Sequence, residues 1–381
     1  MRFLRTARTS RLLAAVAAAL ALAAAASAIA VAAGGSGPKP PAKPLDQAIR
    51  GALAAKAPAG ISARVTFTNK LLPSGALTGN AGSALVSGGA GRLWITSARG
   101  RIELPSSPLN TEIVWSSNKV TVYDGSSNTV YRASLPTHSG PRNEAKGANH
   151  ALPTLAEIDK LLGNARTHVA ISAAVPKNVA SQPAYEVTLS PKDNGSLLKS
   201  AQLAWDAVHG VPLRVAVYAK GSSSPVLALE ATDISYGPVS AANVSVSPPP
   251  DAKVIDLRAP TSRTASKKDA KDTQSAALPF STPDRLGGRA RQFARAASGG
   301  VVAVYGRGLG ALVLYVHKGD TAAHGNPLSG LPTVDIAAGV KAHELATPLA
   351  TVLSWQRNAT AYVLGGSVTP ATAEAAAREI G

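Results

Sequence analysis

Between residues 61 and 235 the chain alternates apolar and polar residues in short runs broken by Gly, Pro, Asp and Asn. A side-chain period of two with one apolar face marks half-buried antiparallel strands, and a chain with so many must pair them into a large sheet. In residues 61–69, Ala63, Val65 and Phe67 alternate with Arg64, Thr66 and Thr68. Runs of the same kind recur at 92–96, 101–104, 112–115, 119–123, 167–173, 184–189, 201–206, 212–218 and 226–235. Asp124-Gly125 supplies turn residues between two strand-forming runs, which predicts a hairpin over 119–132. In this part of the chain helical spacing is found at residues 45–57 (Leu45, Ile49, Ala52, Leu53, stopped by Pro58) and at 155–162, bounded by Thr154 and Gly163. The order predicts an α+β fold: a large curved antiparallel sheet, a half-barrel, around a few helices, without long parallel βαβ units.

The periodicity breaks at Pro248-Pro249-Pro250 and again over 261–275, a stretch rich in Lys, Ser, Asp and Thr. This places a first domain at 45–247, a flexible linker at 248–277 and a small α+β domain at 278–381. The second domain is expected to contain a helix near 286–297, strands at 301–305, 311–317, 351–356 and 361–364, and a closing helix over 370–380. Thr369 as N-cap with Pro370 at the first helical position is the start signal of that last helix.

Arg2, Arg5, Arg8 and Arg11 precede an uncharged run over 12–33, followed by a Pro/Gly-rich stretch at 34–44. This is the pattern of an export segment. The run is long enough to span a bilayer, yet much of it is alanine, and small residues recur two apart at Ala26, Ala28 and Ala30, as a signal peptidase requires. Residues 1–33 are therefore read as a signal peptide cleaved between about Ala28 and Ala33, with a retained anchor as the other reading. Both put the remainder outside the cytoplasm, in the periplasm or an equivalent extracytoplasmic space. The chain has no cysteine, which excludes disulfides, thiol catalysis, Cys-ligated metals and a lipid-modified N-terminal Cys.

Signals for catalysis are missing from the sequence. The seven histidines are scattered without His-x-x-x-His spacing, no Gly-x-Ser-x-Gly elbow occurs, and no cofactor motif is present. Gly306-Arg307-Gly308-Leu309-Gly310 superficially matches a phosphate loop, but strand formers follow it where a helix is needed, so it is read as a hairpin turn. A hydrolase with a dispersed triad is kept only as a further alternative. The 39 Lys and Arg against 22 Asp and Glu give a net charge of +17 that is spread along the chain, without the basic-aromatic interleaving of a nucleic-acid binder. That excess suits anionic membrane surfaces or a generally basic solvated exterior.

Val65, Phe67, Leu93, Ile95, Ile113, Trp115, Val120 and Val122 fall on one face of the expected strands. Such a row is either core or the wall of a cavity for lipid or lipoprotein acyl chains, left open where few helices cover a concave sheet.

The helix before residue 61, the hairpin Val120-Thr-Val-Tyr-Asp-Gly through Val130-Tyr-Arg132, and the later Tyr185-Glu-Val-Thr-Leu189 and Gly210-Val-Pro-Leu-Arg214 resemble the LolA/LolB-like superfamily of envelope lipoprotein carriers and lipid-binding proteins. Residues 351–380, from Thr-Val-Leu-Ser-Trp-Gln-Arg to Ala-Ala-Ala-Arg-Glu-Ile, are similar to the end of the RseB/MucB regulators. That resemblance implies a LolA-like domain joined to a small C-terminal domain, no catalytic residues, and binding to the extracytoplasmic part of a membrane anti-sigma factor. The alanine-rich leader and the long stretch from 248 to 275 depart from the pattern.

Overall fold

The computed structural model describes residues 37–71, 88–105, 110–134, 154–192, 195–246, 248–257, 279–297, 299–319, 328 and 330–380. The leader and the polar stretch at 261–275 lie outside the described residues. Helix α1 (Leu45–Ala54) precedes β1 (Gly60–Asn69), β2 (Gly89–Thr96), β3 (Arg99–Leu104), β4 (Thr111–Ser116), β5 (Lys119–Asp124) and β6 (Thr129–Ser134). After α2 (Leu155–Ala165) come β7 (Val169–Ile171), β8 (Val175–Val179), β9 (Gln182–Pro191), β10 (Leu198–Asp206), β11 (Pro212–Ala219), β12 (Leu227–Tyr236) and β13 (Lys253–Leu257). These strands form one sheet in the order β13-β6-β5-β4-β3-β2-β1-β12-β11-β10-β9-β7, with β8 also paired to β9. Every pairing is antiparallel except β13 on β6.

A second sheet contains β14 (Arg285–Leu286), β15 (Arg289–Ala297), β16 (Gly300–Tyr305), β17 (Leu312–Lys318), β18 (Thr333–Ala337), β19 (Val340–Ala346), β20 (Thr351–Arg357) and β21 (Thr360–Gly366). Its order is β14-β15-β16-β17-β21-β20-β19-β18, and α3 (Pro370–Arg378) packs on β18, β20 and β21. Ala373, Ala376 and Ala377 of α3 are buried with Leu314, Leu353, Trp355 and Leu364. Alanine lets the helix approach this sheet closely, which explains how so small a body closes a core. The architecture is thus the α+β one read from the sequence, a large curled antiparallel sheet with few helices and a smaller α+β body.

Strands β8, β18 and β19 stand where no element was expected, and three further segments differ from expectation. Residues 286–297 form no helix: Arg289–Ala297 is β15, paired antiparallel with β16. Its Ala, Arg and Gln content favours helix. Gly287 and Gly288 before it and Gly299 after it take left-handed backbone with φ of +55°, +71° and +80°, which bends the chain at both ends, and pairing with β16 then decides the conformation. Within the span read as linker, Lys253–Leu257 is β13, whose Val254, Ile255 and Leu257 lie beside Val130, Tyr131 and Ala133 of β6. The Pro-rich stretch before α1 is tied to the first sheet, since Pro38 accepts a hydrogen bond from Asn178 Nδ2 (2.9 Å) and Pro41 from Tyr185 Oη (2.6 Å). Residues 306–310 make the hairpin connection expected, a 3-10 turn (Gly308–Gly310) between β16 and β17.

Candidate functional site

All eight sequence-selected residues share one face. Cross-strand register runs Ala63–Leu93–Ile102–Ile113–Val122–Tyr131 from β1 to β6, with Ile61–Ile95–Gly100–Trp115–Val120 beside it. In the other direction Phe67 faces Leu229, which faces Val215, then Leu203, then Val187. One apolar surface therefore crosses the curled sheet from β9 to β6. It is long because every strand keeps the period of two, so each adds its apolar side to the same face.

The two ends of that surface are covered differently. Leu45 and Ala48 of α1, with Ile49 and Leu162 beside them, pack with Tyr185, Val187 and Trp205 at the β9–β10 end. Val65, Phe67, Leu93, Ile113, Trp115, Val120 and Val122 belong to a separate buried cluster in which no described helix residue takes part, and Ile95 is partly buried against it. Here the side chains of the curled sheet pack on one another. Trp115 is seated over Gly100, where a Cβ would stand 2.0 Å from the indole Cζ2.

The opposite face of β9–β12 carries a polar cluster that the sequence reading did not single out. Arg214 alternates with Leu213 and Val215, so it points away from the apolar surface. It stands 3.3 Å from Glu186 Oε2 and 3.9 Å from Glu230 Oε1, and its Nη2 donates to Tyr218 Oη at 2.7 Å. Tyr218 in turn donates to Gln202 at 3.0 Å, and Lys177 lies 3.8 Å from Glu186. A cleft of about 290 Å3 opens over these groups. Glu230 is buried, and that burial raises its pKa against the opposing pull of Arg214. The cations of this cleft already face its carboxylates. The signal for the cluster was a charged residue inside each of three strand runs, which in isolation reads as a solvated edge.

A second unpredicted group locks the β10–β11 turn. Asp206 is fully buried and accepts from Val208 N (2.7 Å), His209 N (2.8 Å) and Tyr236 Oη (2.6 Å). The His209 ring lies against Tyr236, tilted by 33°, with ring centroids 3.9 Å apart. Burial, followed by the bond to Asp206, pushes the Tyr236 phenol far above its ordinary value. The carboxylate is consumed in holding a turn, as an Asp in a tight loop commonly is. Among the described residues no group of three or more His, Asp and Glu is arranged to hold a metal ion, and no helix is long and apolar enough to cross a membrane.

No family model matches the sequence, and no curated relative matches it. In backbone the chain is similar to the structure of the Pseudomonas aeruginosa MucA/MucB complex, at 14% identity and TM-score 0.42, over 87% of this chain and 94% of that one. It is similar to MucB in complex with MucA(peri) at 13% identity and TM-score 0.41, again over 87% and 94%. A LolA superfamily protein from Nitrosomonas europaea is similar at 11% identity and TM-score 0.22, over 54% of this chain and 99% of that one. These likenesses concern the path of the chain.

Proposed function

We propose that this chain is an exported, non-enzymatic binding protein of the cell envelope. Its large sheet takes up a lipid or lipoprotein acyl chain on the β1–β6 part of the apolar face, and its C-terminal body docks on a membrane anti-sigma factor, so that ligand state is passed to that partner. The observation that carries the ligand part is the apolar surface continuous from Val187 to Tyr131, of which, among the described residues, the α-helices pack on the β9–β10 end. The partner follows from the sequence resemblance of residues 351–380 to the RseB/MucB regulators. Export follows from the leader.

The test is native mass spectrometry, with lipid extraction, of the chain purified from an envelope fraction. One acyl-bearing molecule per chain, lost in a Trp115→Asp variant that still folds, is the expected result. A lipid-free wild-type chain after export would overturn the ligand part. A carrier working without a signalling partner is the second reading; it is favoured if lipid copurifies and no envelope protein is retained.

A further inference from the structure

The two sheets meet at a cleft of about 490 Å3 whose chemistry is of one sign. Leu197, in the turn before β10, donates its N–H to Ser367 O and Ser367 Oγ, each at 3.1 Å, and so joins the large sheet to the segment entering α3. Beside this junction Gly310 packs so closely on Gly195 that a Cβ there would stand 2.6 Å from the Gly195 carbonyl oxygen. Around the cleft stand Ser196, Lys220, Arg289, Thr369 and Thr372, and among the described residues none that lines it is acidic. Arg289 is held in place by Nε to Gly310 O (3.0 Å) and Nη1 to Gly287 O (2.9 Å), so its guanidinium is fixed before any ligand arrives. Thr369 is the N-cap of α3, and it accepts from Thr372 N, which presents the positive end of a nine-residue helix to the same space.

An independent observation points to a missing acceptor. Ser196 is 3% exposed, and its Oγ has no hydrogen-bond partner among the described residues. A buried hydroxyl without a partner is costly and rare in folded chains. Here it borders the space that two cations and a helix N-terminus surround.

We propose that this cleft binds an oxyanion of the phosphate class, free or carried as a phosphoester, with Ser196 Oγ–H, Lys220, Arg289 and the α3 N-terminus as its donors. Because the donors come from both sheets, the bound anion bridges them and fixes one body against the other.

The test is calorimetric titration of the exported chain with inorganic phosphate at constant ionic strength, with chloride as control, beside cosedimentation with phosphatidylglycerol and with phosphatidylcholine vesicles. One phosphate per chain is expected, with a rise in melting temperature that grows with phosphate concentration. Ser196→Ala, which changes no charge and removes a hydroxyl that has no partner without ligand, should weaken phosphate binding about tenfold while leaving the ligand-free melting temperature equal or higher. Lys220→Gln should weaken binding by a similar factor. Phosphatidylglycerol binding that both variants lose and that phosphate competes away identifies a lipid headgroup as the source; phosphate binding without vesicle preference identifies the soluble anion. Absence of both kinds of binding overturns the proposal. So does phosphate binding that Lys220→Gln weakens and Ser196→Ala does not, since that is diffuse attraction to a basic surface.

Discussion

The indole of Trp115 occupies the space that a side chain at Gly100 would fill, one strand across in the register of β3 and β4. The missing Cβ is therefore what lets the largest side chain of the apolar row lie flat in the curled sheet. Gly100→Ala should destabilise the chain by about 1–3 kcal/mol through overpacking, read by urea denaturation followed by tryptophan fluorescence. Combining it with Trp115→Leu should cost less than the sum of the two single changes, because the clash disappears with the ring. Additive costs would show that the two residues do not compete for space.

Burial raises the pKa of Glu230, and of Glu112 beside Arg101 and Glu103, above the ordinary carboxylate value of 4.5. The folded state then holds these protons more tightly than the unfolded chain does. Their contribution is most favourable below the unfolded value and is lost as pH rises through the raised folded value. Glu230→Gln removes one such loss while Arg214 keeps Glu186. Melting temperatures from pH 4 to 8 should fall less steeply in the variant than in the wild type. A steeper fall in the variant would mean that the charged form of Glu230 is the stabilised one.

Ala180 and Ser181 connect β8 to β9 with φ of +51° and +64°, between the paired residues Val179 and Gln182. Two left-handed residues between paired strands is the turn that Asn-Gly makes with least strain. Ala180→Asn with Ser181→Gly should raise stability by about 1 kcal/mol, measured as a shift in the denaturation midpoint at unchanged slope. A loss of stability would rule out this turn geometry.

The second sheet and α3 enclose their own buried cluster, with Leu286, Tyr305, Leu312 and Leu353 at its centre. Residues 279–381 expressed alone should therefore give cooperative unfolding and a dispersed amide spectrum. They should also retain a membrane anti-sigma factor from envelope extracts if docking belongs to this body. Retention by residues 37–257 instead would move the docking surface to the large sheet.

The Ala180-Ser181 turn shows what a sequence can conceal. Strands β1 to β6 and β9 to β12 were legible because each carries its own period and is bounded by recognisable turn residues. Strand β8 was not, since its turn lacks Gly and Asn and its run contains Pro176. Strand β15 consists of good helix formers, and only its pairing partner makes it a strand. Strand β13 pairs in parallel with β6 across more than a hundred residues, a contact no local pattern encodes. For the candidate site, the shared face of the eight apolar residues followed from alternation alone. The Arg214 cluster did not, because its members lie on separate strands and only register brings Glu186, Arg214 and Glu230 into line.

Strand β13 also governs how the chain behaves in company. It ends the large sheet next to β6, is five residues long and carries Lys253 and Asp256, while the opposite border is shared by β7, three residues long, and β8, five residues long with Lys177. Short, charged borders give a neighbouring molecule little to pair with. A chain ended at residue 247 would lose that border and present β6 with its amides and carbonyls uncovered, and copies of it should associate edge to edge at concentrations where the longer chain stays dispersed.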